Sequence, residues 1–150
     1  LHAIGDAFRL IKHGYTSIAL AGATEAAVNP LAIAGFAQAR ALSTLFSDTP
    51  EKSSRPFDRH RDGFVLGEGA AVLVLESLEN AIYRKAPILA EIGGYGCSAD
   101  AHHITASHPQ GLGAIKAMQL ALNDAQCTIN EIDYINAHAT STPIGDRIEL

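Results

Sequence analysis

A layered α/β fold with a buried sheet is expected from three observations. Four short, largely apolar runs, at residues 17–21, 71–76, 88–92 and 132–136, read as strands. The first two are continuous and match strands covered on both faces. Between the runs lie segments with apolar residues at helical spacing, and glycine-, proline- and hydroxyl-rich stretches punctuate both. Strands that alternate with helices pack as layers of sheet and helix.

The elements follow in order. Leu1, Ala3, Ile4, Ala7, Phe8, Leu10 and Ile11 repeat at helical spacing and predict a helix over 1–13. Gly14 then supplies the residue that most easily takes a left-handed cap. The strand at 17–21 is followed by a small-residue loop, "GATEAAVNP", and a helix over 31–42. Residues 47–63, "SDTPEKSSRPFDRHRDG", form a polar loop rich in turn formers. "GFVLGEG" leads into the strand at 71–76, and a helix over 78–85 ends before Pro87. A third strand begins at 88–92, and residues 93–110 make a loop with three histidines. Ile115, Met118, Ala121 and Leu122 lie on one face of an amphipathic helix over 112–125. The last strand, 132–136, leads to His138, and residues 147–150 read as the first turn of another helix.

The 150 residues suffice for a core, and 47% hydrophobic with 18% charged residues is a globular composition. A net charge of −5 with no basic stripe argues against nucleic acid. No apolar run approaches the roughly 20 residues of a membrane-spanning helix. Cys97 and Cys127 make no disulfide framework, so a soluble protein of a reducing compartment is expected, with both thiols acting as small buried hydrophobes. The chain starts at a leucine already in helical phase and stops in an apparent helix. Both ends therefore read as cut from a longer protein, with any active site incomplete.

The stretch "INAHATSTPIGD", residues 135–146, concentrates the chemistry. A histidine beyond a strand end is more often structural than catalytic. Two features favour function here. Ligand and catalytic groups of α/β folds gather at the carboxyl ends of strands. Thr140, Ser141 and Thr142 place hydroxyls behind His138 for a polar substrate arm. Imidazole donates a hydrogen bond to a carbonyl or moves a proton near neutral pH. Asp100, His102, His103 and His108 form a second cluster, but their spacing fits no zinc pattern and no metal is expected. Gly67-Glu68-Gly69 lacks the spacing and the lysine of a phosphate loop, and close backbone packing is expected at these glycines.

Taken together, "HAIGDAFRLIKHG", "LAGATEA", "PLAIAGFAQARALST", "SRPFDRHRDGFVLGEGAAVLVLE", "AEIGGYG", "SADAHHITA" and "YINAHATSTPIGD" resemble the β-ketoacyl-acyl-carrier-protein synthases. These are the condensing enzymes of fatty acid synthesis. The resemblance runs along essentially the whole chain and is strongest to the elongating bacterial type II and mitochondrial enzymes. It implies a partial thiolase-like fold layered αβαβα, with residues 1–86 from the later part of the N-terminal half and 87–150 from the start of the C-terminal half. It implies a homodimer with strand 17–21 at the dimer face. The compartment would be a mitochondrial matrix or a bacterial cytoplasm. The reaction would be decarboxylative Claisen condensation of an acyl group with malonyl-carrier. No cofactor is needed, because the substrates ride on the phosphopantetheine of acyl carrier protein.

Site residues carry over by the same resemblance. His138 matches a catalytic histidine that binds the malonyl thioester carbonyl. Thr140 and Thr142 would hold the pantetheine arm, and Phe36 would line the acyl pocket. Asp100, His103 and Thr105 match a loop that gates and contacts the arm, and Arg40 a basic residue near the carrier docking face. Asp146 and Glu149 match acidic members of a polar network that meets an active-site lysine beyond Leu150. The nucleophilic cysteine would sit about four residues before Leu1, at the amino end of helix 1–13, where the dipole lowers a thiol pKa. A second histidine would also follow Leu150, so the fragment alone is expected to be inactive.

Three departures stand out. Ala139 replaces the glycine of many bacterial relatives, His102 stands where an aromatic residue is common, and the chain is acidic although the carrier docking face of the family is basic. A polyketide ketosynthase and a non-catalytic partner subunit share the fold. A cysteine in the ten residues before Leu1 would favour an enzyme, and glutamine or alanine there the partner subunit.

Overall fold

A computed structural model describes residues 1–150. Its sheet is a single antiparallel pair, β1 (Ile18–Glu25) and β2 (Gly69–Glu76), in register from Ile18 opposite Glu76 to Glu25 opposite Gly69. Helix α1 (His2–Lys12) packs against this pair. The other helices are α2 (Pro30–Gln38), α3 (Leu78–Tyr83), α4 (Leu112–Ala125) and α5 (Gly145–Glu149). Single turns of 3₁₀-helix occur at Pro50–Lys52 and Ile129–Glu131.

Local chemistry explains most boundaries. Asn29 caps α2 by accepting from the N–H groups of Leu31 and Ala32, each at 3.1 Å, and Pro30 follows in the first turn. Ser77 caps α3 through the Asn80 N–H. Helix α1 closes on left-handed Gly14, with the Tyr15 N–H reaching back to the Leu10 carbonyl at 2.9 Å. The same closure ends α2 at Arg40, φ +54°, where the Ala41 N–H bonds the Phe36 carbonyl. Residue 40 turning left-handed is why α2 stops at Gln38 and not at 42 as the spacing predicts.

Several strand expectations are corrected. β1 runs on through Gly22, Ala23, Thr24 and Glu25, because β2 supplies ladder partners along that whole length. The pair is not covered on both faces. Ala21 is its one buried residue, and Leu20, Val72 and Val74 are exposed, since α1 is the element of this chain packed against it. Residues 88–92 and 132–136 form no ladder. A strand needs a neighbour to exchange hydrogen bonds with, and no strand of this chain lies beside either run. Gly67 and Gly69 face open space, so close packing is not their reason. Cys97 and Cys127 are exposed, against the expectation of burial.

The closest backbone packing lies elsewhere. Residues 93–96, "GGYG", run along α4. A Cβ on Gly94 would fall 2.5 Å from the Ala121 carbonyl oxygen and from the Ala125 nitrogen, and one on Gly96 would meet the Ala117 carbonyl. Tyr95, between them, turns to the other side. Its ring occupies the space a Cβ on Gly5 of α1 would need, and Arg9 lies 5.0 Å over the ring centroid. The Tyr95 N–H donates to Asp124 Oδ2 at 3.0 Å, and Lys12 pairs with the same carboxylate. This glycine-lined seam joins α1 to α4.

Candidate active site

His138 follows residues 132–136 and is exposed. The turn after it is tightly folded, with Ala139 at φ +45° and Ser141 at φ +68°. The left-handed region costs a residue with a side chain about 1–2 kcal/mol, so specific bonds must hold it there. The Ala139 N–H donates to the Glu149 carboxylate, 3.0 Å to Oε1 and 3.2 Å to Oε2. Ser141 is fully buried. Its carbonyl accepts from the Gly63 N–H at 3.1 Å and its Oγ from the Arg55 N–H at 3.0 Å. The left-handed φ at residue 139 also gives a physical reason why glycine suits that position.

Asp146 anchors the far side. It is fully buried at the start of α5, where Oδ2 accepts from the Phe57 N–H at 2.8 Å and pairs with Arg61 Nε at 3.2 Å. Oδ1 has no hydrogen-bond partner. Arg61 also donates from Nε to the Thr142 carbonyl at 3.1 Å, from Nη2 to the Pro143 carbonyl at 2.9 Å, and from Nη1 to the Asp58 carbonyl at 2.9 Å. The polar loop of residues 53–63 is therefore the scaffold of the His138 turn. Its carboxylates are tuned in turn. The His60 N–H, helped by the Arg55 side chain, holds Asp58 below its ordinary value. Burial pushes Asp62 upward, but bonds from Ser43 Oγ and the Thr44 and Leu45 N–H groups outweigh it and leave the carboxyl lowered.

The threonines expected to hold a substrate arm are half-buried beside this turn. Their hydroxyls lie 3.1 Å apart, and Thr142 Oγ1 accepts the Gly145 N–H at 3.2 Å. Phe36 packs edge-on against Phe64, with centroids 5.1 Å apart, and remains 40% exposed. Arg40 is exposed at the α2 terminus.

The loop that carries Asp100, His103 and Thr105 is self-bonded. Asp100 accepts from the His108 and Gly113 N–H groups, each at 2.9 Å, which spends both oxygens. His103 Nδ1 accepts from the Thr105 and Ala106 N–H groups at 3.2 and 3.1 Å, so a neutral ring carries its proton on Nε2. His102 and His108 meet edge to face at 4.9 Å. No three of the His, Cys, Asp and Glu side chains come together as metal ligands.

Sequence reasoning missed Arg61, Arg55 and the structural part of Ser141. The charge density of "RPFDRHRDG" was the available signal, but nothing local shows which charges face inward. Glu68 was also missed. Its carboxylate accepts from the Val28 N–H at 2.9 Å and ties the glycine-flanked loop to the approach of α2.

A layered α/β fragment in which a half-buried arginine paired with a buried aspartate braces the turn after an exposed histidine defines a class of site, and comparison with known proteins identifies it. The family model described as Beta-ketoacyl synthase, N-terminal domain, matches residues 1–81, and Beta-ketoacyl synthase, C-terminal domain, matches residues 89–150. The chain belongs to the β-ketoacyl synthase family, and its fold is thiolase-like. It is 55% identical to a putative mitochondrial 3-oxoacyl-[acyl-carrier-protein] synthase of Schizosaccharomyces pombe, over 99% of this chain and 35% of that protein. It is 54% identical to the mitochondrial 3-oxoacyl-[acyl-carrier-protein] synthase of Arabidopsis thaliana, over 99% of this chain and 32% of that protein. Among solved structures, a β-ketoacyl synthase from Burkholderia phymatum superposes with a TM-score of 0.92 at 47% identity, covering 99% of this chain and 35% of that one. A type II PKS acyl-carrier protein in complex with its ketosynthase superposes at 0.95 and 39%, covering 99% and 36%. The chain thus spans about a third of the length of the relatives it matches.

Proposed function

We propose that these residues are the part of a 3-oxoacyl-[acyl-carrier-protein] synthase that presents His138 to a malonyl thioester. One observation carries the reading. The main chain directly after His138 is pinned at two points, by Glu149 at Ala139 and by Arg55 and Gly63 at Ser141, while the ring itself is exposed. A structural histidine would spend its nitrogens on the core.

In the reaction, a cysteine thiolate of the full-length enzyme holds the acyl group as a thioester. The malonyl carboxylate leaves as CO₂, and its bonding pair passes to the α-carbon as an enolate whose charge lies on the thioester oxygen. An imidazole N–H of His138 donates to that oxygen, where a preorganised donor is worth most. The carbanion attacks the acyl carbonyl, the carbon–sulfur bond to cysteine breaks, and the thiolate is restored. The product is a 3-oxoacyl thioester on the carrier. Thr140 and Thr142 contact the pantetheine arm, with Asp100, His103 and Thr105 at its gate. Phe36 limits the acyl pocket, and Arg40 meets the acidic carrier. The unpartnered Asp146 Oδ1 accepts from the active-site lysine, close to Glu149 in the same turn. The chemistry draws on no cofactor beyond the carrier's own phosphopantetheine.

The full-length protein works as a homodimer in a mitochondrial matrix or bacterial cytoplasm. Mitochondrial names among the relatives and a carrier-bound ketosynthase among the structures support this context. Identity near 55% to 3-oxoacyl-[acyl-carrier-protein] synthases, against 39% to the ketosynthase of a type II PKS, favours the fatty-acid reaction.

The test is His138→Ala in a full-length synthase carrying these residues. Malonyl decarboxylation and condensation should fall by about 10²–10³, the usual loss for one such donor. Acyl loading of the cysteine should persist, because it depends on the thiolate and the helix dipole. A folded mutant that decarboxylates normally contradicts the assignment.

A further inference from the structure

Resting on that reading, we propose that Arg61 and Ser141 are positioning residues for His138, acting through the backbone of residues 139–143. Ala139 and Ser141 both sit in left-handed backbone that residues with side chains avoid, and the four residues from His138 to Ser141 form one short lever. Released from its bonds, such a turn relaxes to ordinary φ values and swings the histidine with it.

Two clamps prevent the release, and both come from the polar loop. Ser141, fully buried, accepts through Oγ from the Arg55 N–H and through its carbonyl from the Gly63 N–H. Arg61 closes the other end. Its fork gathers the carbonyls of Thr142 and Pro143 while pairing with buried Asp146, whose own N–H returns to the Thr142 carbonyl at 3.2 Å. Neither Arg61 nor Ser141 touches substrate in this account. Lysine cannot replace Arg61, because one ammonium cannot span two adjacent carbonyls and a carboxylate in a fixed plane. Catalytic donors need placement well within an ångström, and a misplacement of about 1 Å costs about 10²-fold.

The experiment uses a full-length synthase carrying these residues. Arg61→Lys keeps the charge opposite Asp146 and removes the fork. It should lower kcat for malonyl decarboxylation by about 10²-fold. The rate of acyl loading should stay within about twofold, since the thiolate lies outside the turn, while KM for the malonyl thioester rises with the displacement of Thr140 and Thr142, which ride on the same backbone. Ser141→Ala tests the other clamp without disturbing the ion pair, should Arg61→Lys fail to fold, and the same split between decarboxylation and loading is expected. The decisive arm is a double-mutant cycle. In a His138→Ala background neither substitution should lower kcat for decarboxylation further, because both act on the chemical step through the histidine. A further loss in that background overturns the proposal, as does a parallel fall of loading and decarboxylation with the melting temperature. If His138→Ala alone leaves decarboxylation normal, the functional reading itself fails, and that outcome is read before either clamp is scored.

Discussion

Two places in the chain join segments that are far apart in sequence, and they do so by opposite means. At the seam between α1 and α4, the closest approaches occur where glycines leave out a Cβ. Gly94 and Gly96 let residues 93–96 lie on α4, and Gly5 admits the Tyr95 ring. At the His138 turn, side chains are added. Arg61, Asp146, Ser141 and Glu149 supply bonds that the backbone alone cannot make. The seam fails when an atom is inserted, and the turn fails when one is removed. A rigid catalytic donor favours the second design, because directional bonds fix orientation and close packing mainly fixes distance.

The comparison breaks most visibly at Asp146. In a full-length synthase carrying these residues, Asp146→Ala should leave the Arg61 charge without its buried partner and the Phe57 N–H unbonded. Loss of one partner from a buried pair costs about 3–5 kcal/mol, and chemical denaturation would measure it. A cost below about 1 kcal/mol would show that solvent reaches the pair freely.

The seam gives the next effect. Gly94→Ala places a methyl against backbone atoms of α4 that have no freedom to move, and overpacking of this kind costs about 1–3 kcal/mol. Gly93→Ala is the control one residue away. Its Cβ would make an ordinary 3.6 Å contact with Ala125 and should be nearly silent. Equal losses at 93 and 94 would remove the packing argument and leave a general dislike of side chains in the segment.

The smallest effect concerns acid. The Lys12 side chain, with help from the Tyr95 N–H, holds Asp124 below the ordinary carboxylate value of 3.8. A lowered folded-state value means stability that is present above the unfolded value and lost as pH falls through the folded one. Asp124→Asn should therefore weaken the protein at neutral pH and flatten its stability profile below about pH 4. An unchanged acid limb would show that the exposed Lys12–Asp124 contact contributes nothing, a common result for surface pairs.

Legibility followed the same division. Helix α4 occupies the residues its periodicity predicts, and Gly14 ends α1 as its backbone freedom predicts, because both depend on neighbours in sequence. The runs at 88–92 and 132–136 have the composition of strands. A strand also needs a partner, and composition carries no information about partners. His138 stood out through its chemistry and its place after an apolar run. Arg61 did not, because its contacts with Thr142, Pro143 and Asp146 cross most of the chain, and one arginine of a charged loop looks like another. The seam reads as loop in the sequence because glycine signals a turn more often than close packing.

The central claim is that the turn aims His138 at a thioester. A structure of a full-length synthase carrying these residues, bound to a non-hydrolysable malonyl-pantetheine analogue, tests it most directly. The account predicts the thioester carbonyl oxygen at about 2.7–3.2 Å from a ring nitrogen of His138, with a threonine hydroxyl of Thr140 or Thr142 on the arm. An arm bound elsewhere, with the His138 ring bonded into the core, would contradict it.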